Sequence, residues 1–262
     1  MLFFLPAYDE AATIAAVVRR VPAEVGGRPV HCVVVDDGST DDTAARARAV
    51  GVEVLGSGPN QGLGAAVRAG LALAAARGAA AVAFCDADGE YAPEELHRLV
   101  APILADEADY VVGSRFARRI DRMRPHRRLG NRVLTAGLAW VARQPLTDGQ
   151  SGFRALSAEA AAAARIAHDY NYAQVLTLDL LARGFRYAEV PISYAFRRHG
   201  RSFVRLGPYL RRVLPAVRTV LRDADTTTRV DRPAPPSRDS TSNSASGAST
   251  PVSCASSSPS LI

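Results

Sequence analysis

Two carboxylates stand two residues apart at the end of an apolar run: Asp86-Ala87-Asp88 follows Val82-Ala83-Phe84-Cys85. At a strand tip, that spacing lets both acids converge on one hard divalent cation, Mg²⁺ or Mn²⁺, and on phosphates that share it. Glu90 is close enough in sequence to be a further ligand. A second acidic tip, Asp36-Asp37-Gly38-Ser39-Thr40-Asp41, follows Val33-Val34-Val35. It reads either as turn and helix-cap chemistry or as an acid that hydrogen-bonds the base or ribose of a nucleotide. Asn60-Gln61-Gly62-Leu63-Gly64 reads either as close packing or as a helix start that meets a phosphate. It lacks the Gly-Lys-Ser/Thr of an ATPase-type loop, which excludes that class. Three more polar turns follow: Gly113-Ser114-Arg115, the stretch from Thr147-Asp148 to Phe153-Arg154, and Glu189-Val190-Pro191-Ile192 ahead of Arg197 to Ser202.

The elements that must carry these turns alternate. Apolar strand runs are expected at 2–5, 30–35, 52–55, 81–85, 110–112 and 187–190, separated by Ala-rich helical stretches at 11–21, 40–50, 62–77 and 93–104. Repeated β-α-β units of this length imply a mostly parallel sheet covered by helices on both faces. Ligands then bind beyond the carboxyl ends of the strands, where the acidic motifs fall. Helices are further expected at 129–143, 158–166 and 172–183, and an amphipathic one at 206–221. The nucleotide half runs to about residue 115 and an acceptor half to 223. Residues 224–262, rich in Ser, Thr, Ala and Pro, cannot bury enough surface to offset chain entropy and are expected to be a disordered tail.

All 32 basic residues are Arg, and the net charge is +6. Residues 115–132 hold eight Arg against Asp121 alone, and residues 197–222 hold eight more against no acid. Such focused charge suits an anionic partner. Nucleic acid is disfavoured: only the aromatic Phe116 lies in the first basic window, and no recognition module is present. The three cysteines have no metal-ligand spacing, so a reducing compartment is the default. No secretory leader and no apolar run of roughly 20 residues is visible. A cytoplasmic protein is expected, with peripheral contact at the cytoplasmic face of a membrane.

The order of the motifs is more specific than any one of them. Pro6-Ala7-Tyr8-Asp9-Glu10, Asp36-Asp37-Gly38-Ser39, Asn60-Gln61-Gly62, Asp86-Ala87-Asp88, Gly113-Ser114-Arg115, Ser151-Gly152-Phe153-Arg154 and Glu189-Val190-Pro191 follow one another. Over residues 2–222 this series resembles the family 2 glycosyltransferases, in their dolichyl-phosphate mannosyltransferase-like branch. The resemblance implies a GT-A-type nucleotide-sugar-binding fold and inverting transfer of a hexosyl group, mannose or glucose, from a UDP- or GDP-linked sugar to a polyprenyl phosphate. It implies that Pro6, Tyr8, Glu10, Asp36, Asp86, Ala87 and Asp88 line the donor site, and that Asp86, Asp88 and Glu90 hold Mg²⁺ or Mn²⁺, which neutralises charge on the leaving diphosphate. Arg115 and Arg197 would meet donor or acceptor phosphate, with Arg127, Arg128, Arg132 and Arg201 as further acceptor-phosphate groups. A lipid phosphate is already ionised near neutral pH, so positioning arginines matter more than a base. A hydroxyl acceptor, on a small molecule or saccharide, would need a base, for which Asp148 is the candidate. The chain departs from the branch at Asp9, usually Asn; at Glu90, Gln in some relatives; and at Phe203, where a Lys is usual.

Overall fold

The same alternation of strand and helix governs the computed structural model, which describes residues 1–56, 58–116, 134–140, 142, 144–166 and 172–195. Nine strands occur among them: β1 (Leu2–Ala7), β2 (Glu24–Val25), β3 (Arg28–Pro29), β4 (His31–Asp36), β5 (Glu53–Gly56), β6 (Ala81–Phe84), β7 (Tyr110–Ser114), β8 (Arg154–Ser157) and β9 (Tyr187–Pro191). The helices are α1 (Ile14–Val18), α2 (Thr43–Ala49), α3 (Leu63–Ala76), α4 (Leu96–Leu104, after a 3₁₀ turn at Pro93–Glu95), α5 (residues 134–140), α6 (Ala158–Ala163) and α7 (Tyr172–Ala182). The amphipathic helix expected at 206–221 and the tail at 224–262 lie outside the described residues.

Seven strands form one sheet in the order β5-β4-β1-β6-β8-β7-β9, and β2 and β3 form a separate hairpin. β1 is parallel to β4 and β6, β4 to β5, and β7 to β9; β8 alone runs antiparallel, between β6 and β7. The sheet is therefore mostly parallel, as the sequence implies, with one reversed strand it did not signal.

Strand residues alternate between two apolar layers, which is why the runs read as continuously hydrophobic. Phe3, Leu5, Val34, Ala83, Val111 and Ala155 pack on the face carrying Ile14 and Val17 of α1, Ala47 of α2 and Leu96, Leu99 and Val100 of α4. Leu2, Phe4, Val33, Val82, Phe84 and Leu156 pack on the opposite face with Val67 and Leu71 of α3 and Leu176 and Leu180 of α7. A three-layer α/β arrangement follows from that double burial.

Several helices start later than their apolar periodicity suggests. Residues 11–13 and 40–42 form turns before α1 and α2, where Ala11 N donates to Asp41 Oδ2 and Glu10 N to Thr43 Oγ1. Those bonds tie the two turns to each other, while Thr13 Oγ1 to Glu10 O and Thr43 N to Asp41 Oδ1 close each one locally, an alternative to the helix ladder. Among the described residues no helix is long and apolar enough to cross a membrane.

Candidate active site

Parallel pairing aligns the tips of β4, β1 and β6 on one edge of the sheet, with Ala7 opposite Asp36 and Phe4 opposite Phe84. Asp36 ends β4, and Asp86-Ala87-Asp88 continues just past β6. The two acidic motifs thus share an edge, with the end of β1 between them. Pro6 is buried at that end, while Tyr8 and Glu10 are half-buried beyond it.

The adjacent acids of the first motif do different work. Asp36 Oδ1 accepts from the Ser39 amide and hydroxyl, closing the turn. Asp37, buried, accepts from Gln61 N at 2.9 Å and Gly62 N at 2.7 Å. Those donors lie just ahead of α3, so Asp37 pins the loop that enters the helix. Gly38, at φ +73°, allows this: a Cβ there would lie 2.6 Å from Asn60 N and Gly58 O. The glycine-rich segment therefore spends those amides on Asp37, so close packing is the reading the geometry supports. Asp9 has a left-handed φ of 53° and caps Thr40 N at 2.7 Å. Asn and Asp both tolerate that conformation and offer the same acceptor, which accounts for Asp standing where Asn is usual.

Asp86 and Asp88 are half-buried and Ala87 is buried. Asp88 Oδ1 accepts from Glu90 N at 2.9 Å, tightening the turn at Gly89. Gly152 lies against Asp86: a Cβ there would stand 2.9 Å from Asp86 Cγ and collide with its oxygens. Gly152 N donates to Tyr91 Oη at 2.6 Å. Burial, reinforced by the Asp86 and Asp148 charges against an opposing Arg115, pushes the Tyr91 phenol well up, so it stays protonated. Tyr194 Oη donates to Glu90 Oε2 at 2.6 Å, and its own pKa is raised by burial and by that contact. The donor set of Asp86 and Asp88 is all oxygen and anionic, which fits Mg²⁺ or Mn²⁺ sharing its remaining positions with phosphate and water. Among the described residues no group of three or more His, Cys, Asp or Glu converges as a metal cluster.

Across from these acids stands a buried ion pair. Arg115, 7% exposed, donates Nε to Asp148 Oδ2 at 2.7 Å and Nη2 to Oδ1 at 2.8 Å, and its backbone N–H adds 3.0 Å. Burial opposes its charge, yet the Asp148 carboxylate beside it keeps Arg115 a cation. Its guanidinium lies 5.1 Å from the Tyr194 ring centroid. Glu189 of β9 accepts from Thr147 N at 2.9 Å and Asp148 N at 3.3 Å, so it supports the same turn. Both Asp148 oxygens are taken up by Arg115, and its side chain is fully buried. A cavity of about 260 Å³ borders Glu90, Tyr91 and Tyr194.

Arg127, Arg128, Arg132, Arg197 and Arg201 lie outside the described residues. Tyr91, Gly152, Glu189 and Tyr194 are contacts that sequence reasoning did not assign a role. Gly152 and Glu189 sat inside motifs already noted, but their partners lie dozens of residues away.

The profile of Glycosyl transferase family 2 matches residues 3–163. Polyprenol monophosphomannose synthase of Mycolicibacterium smegmatis is 33% identical over 211 residues, covering 76% of this chain and 78% of that protein. UDP-N-acetylglucosamine–dolichyl-phosphate N-acetylglucosaminyltransferase of Methanococcus voltae is 30% identical, covering 60% of this chain and 68% of that one. Glucosyl-3-phosphoglycerate synthase of Mycobacterium tuberculosis, solved with Mn²⁺, UDP and phosphoglyceric acid, superposes with TM-score 0.67 at 27% identity, covering 84% of this chain and 77% of that one.

Proposed function

The chain belongs to glycosyl transferase family 2, and from that premise we propose that it transfers a hexosyl group, mannose or glucose, with inversion, from a UDP- or GDP-linked sugar to a polyprenyl phosphate. The observation that carries this reading is the opposition on one sheet edge: the Asp86 and Asp88 carboxylates beyond β6, and the buried Arg115 beyond β7. The acids suit a cation-bound diphosphate, and the arginine suits an anionic oxygen near the anomeric carbon. A divalent ion held by Asp86 and Asp88, with Glu90 alongside, would supply charge neutralisation for the departing nucleoside diphosphate.

Asp36 and the turn around Tyr8 and Glu10 bind the nucleoside in this reading. Tyr91 keeps its proton and accepts from the Gly152 amide, which holds Gly152 against the Asp86 carboxylate. Asp148 serves as the anchor that aims Arg115, since both of its oxygens are engaged. No base is then needed, because a phosphate acceptor is already ionised at neutral pH. Arg197, Arg127, Arg128, Arg132 and Arg201 are the further acceptor-phosphate groups.

The named relatives from Mycolicibacterium smegmatis and Methanococcus voltae favour a lipid phosphate acceptor. So does Trp140 on α5, 83% exposed, because tryptophan partitions to membrane interfaces. A peripheral position on the cytoplasmic membrane face follows. A second reading, a water-soluble phosphorylated acceptor, is favoured by the likeness to glucosyl-3-phosphoglycerate synthase.

The test is incubation with UDP-glucose, UDP-N-acetylglucosamine or GDP-mannose, with Mg²⁺ or Mn²⁺, and with polyprenyl phosphate or phosphoglyceric acid. Release of nucleoside diphosphate that requires polyprenyl phosphate, with label entering the organic phase, is the expected result. Label confined to water would favour the second reading; no release with any pair would overturn both.

A further inference from the structure

We infer that Arg154 is a positioning residue for sugar transfer, setting the turn that seats both Asp86 and the Arg115–Asp148 pair. The inference rests on the function proposed above and adds to it a residue remote from substrate.

Arg154 opens the reversed strand β8, opposite Phe84 of β6 and Val112 of β7, directly behind the tips that carry the acids and Arg115. It is fully buried. Its partners are neutral: Nε donates to Ser151 O at 2.8 Å, Nη2 to Gly149 O at 3.4 Å, and Nη1 to Ala173 O at 2.9 Å, Thr177 Oγ1 at 3.0 Å and Tyr110 Oη. Tyr110 and Tyr172 place their rings 5.7 and 5.5 Å from its guanidinium. An apolar side chain would fill the same volume without desolvating a charge, so packing alone does not explain an arginine here.

The bonds themselves give the explanation. Two of them end on carbonyls of the turn between Asp148 and Gly152, while three reach rigid elements, α7 and β7. A planar fork of fixed donors ties that turn to the scaffold in a way no single ammonium can. Asp148 at the near end of the turn holds Arg115, and Gly152 at the far end abuts Asp86 with no room for a Cβ. A slip of the turn would therefore misplace a carboxylate and an arginine together.

The experiment measures binding of UDP and GDP with Mn²⁺ by calorimetry, and transfer kinetics, for the full chain and for R154K, R154M and T177V. Thermal unfolding establishes that each variant is folded at the temperature used. Because groups that orient ligating side chains are worth about 10- to 100-fold, R154K should weaken Mn²⁺-dependent nucleotide binding and lower kcat within that range. T177V, which removes one anchor and no charge, should give a smaller loss of the same kind. Should R154K or R154M fail to fold, T177V carries the test alone. Folded variants that bind and turn over as the parent does would overturn the inference while leaving the proposed function standing. A parent chain that binds neither nucleotide would sink both.

Discussion

At the tips of β1 and β4, carboxylates are met by backbone amides: Asp9 by Thr40 N, Asp36 by Ser39 N, Asp37 by Gln61 N and Gly62 N. Beyond β7 on the same edge, an arginine meets the carboxylate instead: Asp148 is held by Arg115 at 2.7 Å. A carboxylate capped by amides keeps its negative charge facing the edge, whereas one paired to arginine is neutralised and lends its partner direction. The first region suits a cation, a ribose or a base; the second suits an anion. One edge can thus present both halves of a phosphate-linked reaction, because its two sides balance acids by different means.

The largest break in that comparison should come from Asp88→Asn. It leaves an acceptor for Glu90 N and removes the charge, so transfer should fall about 10²- to 10³-fold or more, while circular dichroism and thermal unfolding stay close to the parent. Full activity would refute the cation role. On the arginine side, Asp148→Leu strands a buried guanidinium and should cost about 3–5 kcal/mol in urea unfolding. Adding Arg115→Met should recover much of that stability without recovering transfer. If the double variant is no more stable than the single, the ion pair is not the cause. Asp37→Ala leaves the Gln61 and Gly62 amides without this acceptor and should cost about 1–3 kcal/mol, with Asp37→Asn milder. The smallest effect belongs to the exposed pair Glu53–Arg77. The hydrogen bond from Arg77 holds Glu53 below the usual carboxyl value of 4.5. A lowered acid stabilises the fold above its unfolded pKa and loses that contribution as pH falls through the folded one. Glu53→Gln should therefore shift the urea midpoint barely at pH 7, where screening weakens surface pairs, and not at all near pH 2.

The amide-capped side was the more legible from sequence, and the reason is distance along the chain. Asp36, Ser39 and the strand before them lie within a few residues, so an apolar run ending in an acid and a turn announces itself. β8 did not: Arg154-Ala155-Leu156-Ser157 is four residues with a buried arginine at its head, directly after a glycine-containing turn and before α6. Nothing local distinguishes that from a loop. The β2-β3 hairpin, two residues a strand, did leave a signal that the apolar pattern passes over: Gly26-Gly27, both at positive φ of 57° and 74°, is a two-residue hairpin turn. Within the acidic tip, Asp36 and Asp37 looked equivalent, and only the fold of Asn60-Gln61-Gly62 back onto Asp37 separates a loop anchor from a candidate nucleoside contact. Asp148 illustrates the converse: its sequence context suggested a base, but Arg115, 33 residues earlier, occupies both oxygens.

The reversal of β8 has one more effect. Because β8 runs against β7, the chain leaves the working edge after Ser114 and comes back to the same edge at Arg154. Its departure and return are fastened side by side, Ser114 Oγ to Thr147 Oγ1 at 2.6 Å and Arg115 to Asp148. A third tie, Gly149 N to Thr135 Oγ1 of α5 at 3.2 Å, fastens the start of the return to the same neck, so strand order does not depend on the length of the excursion. Such a neck holds the register of β7 against β8 whatever the length of chain it closes off.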